Sequence, residues 1–434
     1  MKQWIKNGGY DIYLIALLAI TFFSYIYELQ TYFLVFIALV GIVNIVLKNS
    51  IFYVIPVPFF VQMSFSDLRD NVEITTVYTV ILTFLIVFDM IQNRTITKRG
   101  RLTFPLVLLL IVSVVTHVNS PDLFTTFAGF MQVASVLGLY FYFVNTIDDD
   151  EKNITYIAKI LMYLGALVTL EMVYFIIKQD MFAIDVIRRR MIHLGWENIN
   201  LVIYANIISI PLIAYLISHS KIKFYYMFFA LLNSLGILLT LSRSSLLTLG
   251  VFIIVLVPIM ILYEDHRFRL LLHGCSFLLF FAITLYIAEE YELVSQYIEA
   301  VLDRDLTYVQ DRIELLKIAW SKFKAHPILG SGGLYSSRIH ISEAGNAAVN
   351  YHNTIAQAST LGTIGLIGFL WLFMQKTRVI LQKQTSFKWF VLALIYITAF
   401  VNGMFQPMYF YTTYMIYIFL VLAVIENVSP TLKK

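Results

Sequence analysis

The chain has 434 residues, 59% of them hydrophobic and 13% charged, with a mean hydropathy of +0.79. Ordinary globular proteins are about 45–50% apolar and about 25% charged, so a soluble fold is excluded and lipid must solvate most of the chain. The net charge of +4 is spread thinly and leaves no nucleic-acid footprint, and a single cysteine, Cys275, excludes a disulfide framework or a cysteine-based metal site.

The first residues, Met1-Lys2-Gln3-Trp4, lead into an apolar span with no small-residue cleavage site, which predicts a retained first helix. Apolar runs of about 17–25 residues mark transmembrane helices. They fall near 11–28, 31–47, 51–65, 74–91, 102–118, 123–145, 155–177, 199–217, 222–241, 245–263, 270–288, 353–374, 388–406 and 408–426. The 51–65 run is short and carries Pro56 and Pro58, and only Gln406-Pro407 separates the last two runs. Either feature can turn a crossing into a broken or re-entrant segment, so the expected count is 12 to 14. The expected fold is all-α, a polytopic membrane helical bundle forming one integral-membrane domain over residues 1–434. Its one long loop, 289–352, should be extracytoplasmic and contain short amphipathic helices.

Charge fixes the expected orientation. With both termini in the cytoplasm, the clusters Arg94 to Arg101 and Lys376 to Lys388 fall inside, as the positive-inside bias requires. Arg188-Arg189-Arg190 then lies outside, against the bias, which points to an anionic ligand. Glu171 becomes an intramembrane charge about two turns from the outer end of its span, a partner for one of the arginines. Arg243, in the short outer turn Leu241-Ser242-Arg243-Ser244-Ser245, is costly at that depth unless it is paired, faces a wet cavity or snorkels to the headgroups.

Function should concentrate in the long loop. Val309, Ile313, Leu316, Trp320 and Phe323 recur in steps of four and three, which predicts an amphipathic helix on the membrane surface or capping the bundle. It is either a structural lid or one that also presents Arg312 to a substrate. Pro327 ends it, and Gly330, Gly332 and Gly333 permit a tight turn whose N–H groups either bind phosphate or simply reverse the chain. His352 lies where the chain re-enters the membrane. It is the best general-base candidate, since the ordinary imidazole pKa of about 6.5 lies near neutrality; the alternative is an interfacial histidine beside an Asn353 or Thr354 helix cap. His340 and His326 are rivals, His326 reading as structural because it precedes a proline in a turn. Catalytic-serine, metal-ligand and Walker-type spacings are missing, and neither metal nor cofactor is expected.

Several of these segments together resemble the O-antigen ligase/polymerase family of bacterial membrane glycosyltransferases. They are Ser242-Arg243-Ser244, Arg312 with Trp320 eight residues on, His326-Pro327-Ile328-Leu329-Gly330-Ser331-Gly332, His352-Asn353, and Gly362 with Gly365-Leu366. Arg190 with Gly195 and Asn200 is similar to the family's entry into a helix, with Ile199 standing where that motif has proline. The resemblance is best over 188–370. It implies an undecaprenyl-diphosphate-linked glycan as donor, transferred on the outer face of a bacterial plasma membrane to a sugar hydroxyl. It also implies His352 activating or orienting the acceptor and Arg243 and Arg312 stabilising the leaving diphosphate, by a metal-independent, inverting route, and Arg190, Arg189, Asn353 and Glu171 are expected to bind substrate. A polymerase of capsule, O-antigen or teichuronic-type repeat units is the expected activity, working beside a chain-length regulator and a flippase. An O-antigen ligase acting on lipid A core is one alternative and a lipid-linked oligosaccharide flippase another, although a flippase should show internal repeats between its halves.

The charge pattern makes a direct prediction. Cysteines placed at Ser295 and Ser336 should react with a membrane-impermeant thiol reagent on intact cells. Labelling only after lysis would put the long loop in the cytoplasm.

Overall fold

The computed structural model describes residues 10–47, 53–64, 72–93, 100–120, 122–147, 151–179, 194, 199–220, 222–240, 242–263, 286, 289, 293–302, 307–333, 336–345, 351–381, 387–403 and 412–427. Among them every regular element is a helix. In chain order these are α1 (Tyr10–Tyr27), α2 (Gln30–Leu47), α3 (Val57–Met63), α4 (Val72–Asn93), α5 (Thr103–Val115, extended by a 3-10 turn at Thr116–Asn119) and α6 (Leu123–Thr146). There follow α7 (Glu151–Lys178), α8 (Ile199–His219), α9 (Lys223–Leu239), α10 (Arg243–Tyr263), α11 (Leu293–Leu302) and α12 (Thr307–Ala325). The last are α13 (Ser337–Glu343), α14 (Thr354–Ser359), α15 (Gly362–Leu381), α16 (Phe387–Gly403) and α17 (Thr412–Asn427).

Four stretches among the described residues are long and apolar enough to cross a bilayer: Tyr10–Tyr27, Glu151–Lys178, Ser244–Leu262 and Gly362–Leu381. Shorter apolar helices include α9 and Ile203–His219 within α8. Two expected spans differ from expectation. The 51–65 run holds α3, seven residues long, about 10 Å at 1.5 Å per residue against a hydrocarbon core of about 30 Å. Its Val57, Phe59, Phe60 and Met63 are buried, so the described helix contributes to the core of its unit. The 353–374 run is divided into α14 and α15 by a break at Thr360-Leu361. Most of the expected 270–288 span and Gln406-Pro407 lie outside the described residues.

The contacts divide the chain into two compact units, residues 1–94 with 151–304 and residues 95–150 with 305–434. In the first, α7 is the central helix and packs on α1, α3, α8 and α9. Glu151 opens it and Lys178 closes it, the charge order that complements the helix dipole. Its contact with α8 and α9 is polar at the centre. Asn206 Nδ2 donates to the Gly165 carbonyl at 2.9 Å, to Thr169 Oγ1 at 2.9 Å and to the Asn233 carbonyl at 3.2 Å. Ser209 Oγ donates to Asn233 Oδ1 at 2.6 Å. Gly165 and Gly236 make room for these groups, for a methyl at Gly236 would sit 2.6 Å from Asn206 Nδ2. Lipid removes the hydrophobic drive that joins helices in water, leaving small residues and hydrogen bonds to hold them.

The second unit is built on α5, α6, α15 and α17, with α14 on α15 and α12 on both α13 and α14. One end is closed by Tyr140, whose hydroxyl donates to Glu426 Oε2 at 2.5 Å and accepts from the Leu102 N–H at 3.1 Å. At the other end Asn119 Nδ2, just past α5, donates to the Gly330 carbonyl at 3.0 Å. The glycine turn of the long loop is thereby fixed to the end of the helix bundle opposite Glu426.

Hydrogen bonds between membrane helices are each worth about 0.6–2 kcal/mol. Asn206→Leu and Asn233→Leu should each lower the thermal unfolding midpoint of the detergent-purified protein. The double variant should lose less than the sum, because the two side chains serve one network. Unchanged midpoints would show that the network contributes nothing.

Candidate functional site

The long loop folds around α12. In the apolar stripe expected to lie on the membrane surface or to cap the bundle, Ile313, Leu316 and Trp320 are exposed. The inner face is formed by Leu315 and Ala319, with Ile318 beside them, packed against Ile341 of α13, Tyr351, and Ala356 of α14. The reason lies in residue size, since a small alanine and a leucine allow α12 to approach α13 and α14 closely. Arg312, half-buried, precedes Leu315 by three residues and Ala319 by seven. At 3.6 residues per turn it therefore shares the inner face, the one that packs on Tyr351.

Beyond α12 the chain is held by backbone. The Gly330 N–H donates to the His326 carbonyl at 3.0 Å and the Ser331 N–H to the Thr360 carbonyl at 2.9 Å. Thr363, in the first turn of α15, donates its N–H and its hydroxyl to the Pro327 carbonyl at 2.8 and 2.7 Å. Gly330 and Gly362 face each other, both with positive φ (77° and 70°). A methyl on Gly330 would stand 2.5 Å from Gly362 N, and one on Gly362 would stand 2.7 Å from the Ile328 carbonyl carbon. Of the two readings of the glycine turn, Gly330 thus serves chain packing at the break before α15.

His352 lies between two anchored neighbours. Tyr351 is buried, and Asn353 caps α14, its Oδ1 accepting the Ile355 and Ala356 N–H groups at 2.9 and 3.0 Å. The cap anticipated beside His352 is therefore present, and Asn353 Oδ1 is committed to it. His352 itself is half-buried with φ of 50°, in the left-handed region. Such backbone costs of order 1–3 kcal/mol, persists where the surroundings over-determine it, and clusters at functional sites. The surroundings here are a polar chain. The Tyr351 hydroxyl lies 3.2 Å from His340 Nδ1, the Tyr351 N–H reaches Gln357 Oε1 at 3.5 Å, and Gln357 Nε2 donates to Ser337 Oγ at 2.8 Å.

The two rival histidines lie in different surroundings. His326 is exposed in the turn, where its carbonyl accepts the Gly330 N–H, while His340 is buried against Tyr351 and bonds the Ser331 backbone. Burial, helped by the Lys322 ammonium and opposed by Glu343, holds the His340 imidazole down at about 4. It is a neutral strut at physiological pH. Lys322 pairs with Glu343 at 2.7 Å, tying α12 to α13 and lowering the Glu343 carboxyl pKa. Ser336, named above as a labelling position, is buried with its hydroxyl on the Gly333 carbonyl at 2.7 Å, whereas Ser295 is exposed. Ser295 is the usable probe.

The remaining candidates belong to the first unit. Arg243 is the first residue of α10. The turn before it is built from hydroxyls: Ser245 Oγ donates to Ser242 Oγ at 3.0 Å, the Ser242 N–H donates to Thr240 Oγ1 at 3.2 Å, and the Leu246 N–H donates to the Ser242 carbonyl at 2.8 Å. Tyr297 of α11 donates to the Leu238 carbonyl at 2.8 Å, which seats the first part of the long loop on the end of α9 beside this turn. Glu171 is wholly buried within α7. Arg189 and Arg190 lie outside the described residues. Sequence reasoning missed His340, Tyr351 and Gln357 as a supporting network; their spacing carries no recurrent pattern, and only the Asn353 cap was visible.

Two outcomes follow from this geometry. Gly362→Ala, strained in φ and crowded by Ile328, should free the loop from α15 and raise its proteolysis, with a cost of about 1–3 kcal/mol or more; unchanged protection would remove the clamp. For His340, the unfolded chain takes a proton near 6.5 that the folded chain refuses until about 4. Loop stability should therefore fall as pH drops through that window, by up to about 1.4 kcal/mol per unit. Hydrogen exchange at α13, corrected for intrinsic rates, should show the slope, and His340→Gln should abolish it.

Neither the curated proteins nor the solved structures offer a match to this chain. Residues 228–373, about a third of its length, match the family model described as O-antigen ligase. The matched segment contains Arg243, Arg312, His352 and Asn353 and leaves Glu171, Arg189 and Arg190 outside. Over that segment the chain is similar to the O-antigen ligase family, which supports the O-antigen ligase/polymerase resemblance read from its motifs.

Proposed function

We propose that the protein polymerises polysaccharide repeat units, transferring a glycan from an undecaprenyl-diphosphate donor to a sugar hydroxyl of a lipid-linked acceptor on the outer face of the plasma membrane. The observation that carries this reading is the packing of the α12 face bearing Arg312 onto Tyr351, the residue before His352. A basic side chain and an imidazole thus come from two elements locked together. The acceptor oxygen attacks the anomeric carbon, the bond from that carbon to the diphosphate oxygen breaks, and the hydroxyl proton passes to His352. The electron pair leaves with the lipid diphosphate. A sugar hydroxyl is a poor nucleophile, and a positioned base is worth typically 10²–10⁴-fold.

The developing diphosphate charge falls to Arg312 and Arg243, whose guanidinium groups stay ionised at any working pH and bind phosphate oxygens in pairs. Arg243 adds its charge at the start of a long helix, where the N–H groups and the dipole also favour an anion. Fixed cations of this kind let the leaving group depart without a divalent metal, with inversion at the anomeric centre. Arg190, Arg189 and Glu171 are proposed to hold the donor or acceptor, and Asn353 to orient His352 through its cap. A chain-length regulator and a flippase complete the proposed pathway context.

Reconstitution with purified lipid-linked repeat units tests the reading. A ladder of products is expected; transfer to lipid A core alone would make the protein a ligase, and translocation without covalent change a transporter. His352→Asn, which keeps a residue tolerant of left-handed backbone, should bind donor yet lose at least about 100-fold in polymer formation. Arg243→Ala and Arg312→Ala should each lower turnover strongly, with partial rescue by lysine, and chelator should have no effect. Near wild-type polymer formation by His352→Asn, or loss of activity with chelator, would sink the mechanism.

A further inference from the structure

The function above leaves one sequence feature unused. Trp320 and its neighbours belong to the apolar stripe expected on the membrane surface or capping the bundle, and among the described residues that stripe is bare. Ile313, Leu316 and Trp320 are 49%, 44% and 59% exposed, while a different face of the same helix is packed against α13 and α14. The helix therefore has two adjacent apolar sectors. Its polar arc is narrow and holds Glu314, Lys317, Ser321 and Lys324. A loop helix in water needs one apolar sector, and the second has no occupant among the described residues of its own unit.

The place of the helix identifies the occupant. Pro327, two residues past the end of α12, is bonded twice to Thr363 in the first turn of α15, and α15 is one of the four stretches long and apolar enough to cross a bilayer. The end of α12 is thus pinned to the level at which that span begins. Trp320 lies seven residues before Pro327, roughly 10 Å along a helix. Interfacial helices bury their apolar face about 5–10 Å into the boundary between headgroups and acyl chains, and tryptophan is enriched at that depth. The rim of the sector has the matching charge. Lys324 Nζ lies 5.9 Å from the centre of the Trp320 ring, Trp320 stacks on Phe323 at 5.6 Å, and Lys317 is exposed on the same border.

We propose that α12 is an interfacial membrane anchor. Its Ile313–Leu316–Trp320 sector inserts into the phospholipid surface at the loop end of its unit, while Lys317 and Lys324 meet anionic headgroups. The helix is held from two sides, by α13 and α14 within the protein and by the bilayer outside it. This assignment is independent of the reaction catalysed.

The test uses the full-length protein with Cys275→Ser, in nanodiscs of phosphatidylethanolamine and phosphatidylglycerol. Nitroxide labels are placed singly at 313, 316 and 320, and at 314, 317 and 321. Collisional relaxation should favour oxygen over a nickel chelate at the first three positions and the chelate at the second three. Chelate preference at all six would mean a water-facing helix. Low access to both reagents at 313, 316 and 320 would mean a protein partner on the stripe. Either result overturns the proposal. The label-free check is quenching by brominated lipid, read as the difference between the wild type and Trp320→Phe: a quenched Trp320 component supports insertion, and an unquenched one refutes it.

Discussion

Two glycines that meet backbone to backbone hold the second unit's candidate site. Gly330 ends the turn after α12 and Gly362 begins α15, and each occupies space that a side chain on the other would need. Around this contact the Ser331 N–H meets the Thr360 carbonyl, Thr363 meets Pro327, and Asn119 meets Gly330. Fixing the turn fixes the C-terminal end of α12, and with it the face that carries Arg312. Fixing the break at Thr360-Leu361 fixes α14, and through the Asn353 cap the backbone at His352. The position of both groups thus depends on a contact with no side chain in it.

The first unit solves a related problem by other means. Around α7, asparagine, serine and threonine side chains bond carbonyl groups of neighbouring helices, with Gly165 and Gly236 giving them space. A buried amide without partners is expensive in a medium that offers no hydrogen bonds. The same expense makes a satisfied network specific, because a helix that slides by one residue loses its partners. In the second unit Tyr140 and Glu426 act similarly at the end opposite the glycine turn. Each unit therefore combines a long apolar exterior with a few polar contacts that define its register.

The sequence made the helical class and most helix positions legible, since long apolar runs in lipid admit few structures other than helices. It also marked the Ser242-Arg243 turn, α12, the glycine turn and the His352-Asn353 junction, because charge, proline, glycine and capping residues interrupt apolar runs visibly. Two things were not legible. Which face of α12 packs on protein was left open, because Val309, Ile313, Leu316, Trp320 and Phe323 give the stronger periodic signal, while Leu315 and Ala319 give a weaker one and do the packing. Periodicity reports that a face is apolar and cannot say whether protein or lipid covers it. The left-handed backbone at His352 and the strut from His340 to Tyr351 depend on contacts across chain segments with no spacing of their own.

The order of residues along α12 and its partners bears on how the loop is built. Among the described residues, those packed on the inner face of α12, namely Ile341, Tyr351 and Ala356, come after it in the chain. During synthesis the helix emerges before those residues, with both apolar sectors bare. An outward sector suited to the headgroup boundary lets the nascent helix rest at the bilayer surface until the later segments arrive. Under the proposed anchoring, the inner sector would close when Ile341, Tyr351 and Ala356 arrive, on a helix already at the bilayer surface.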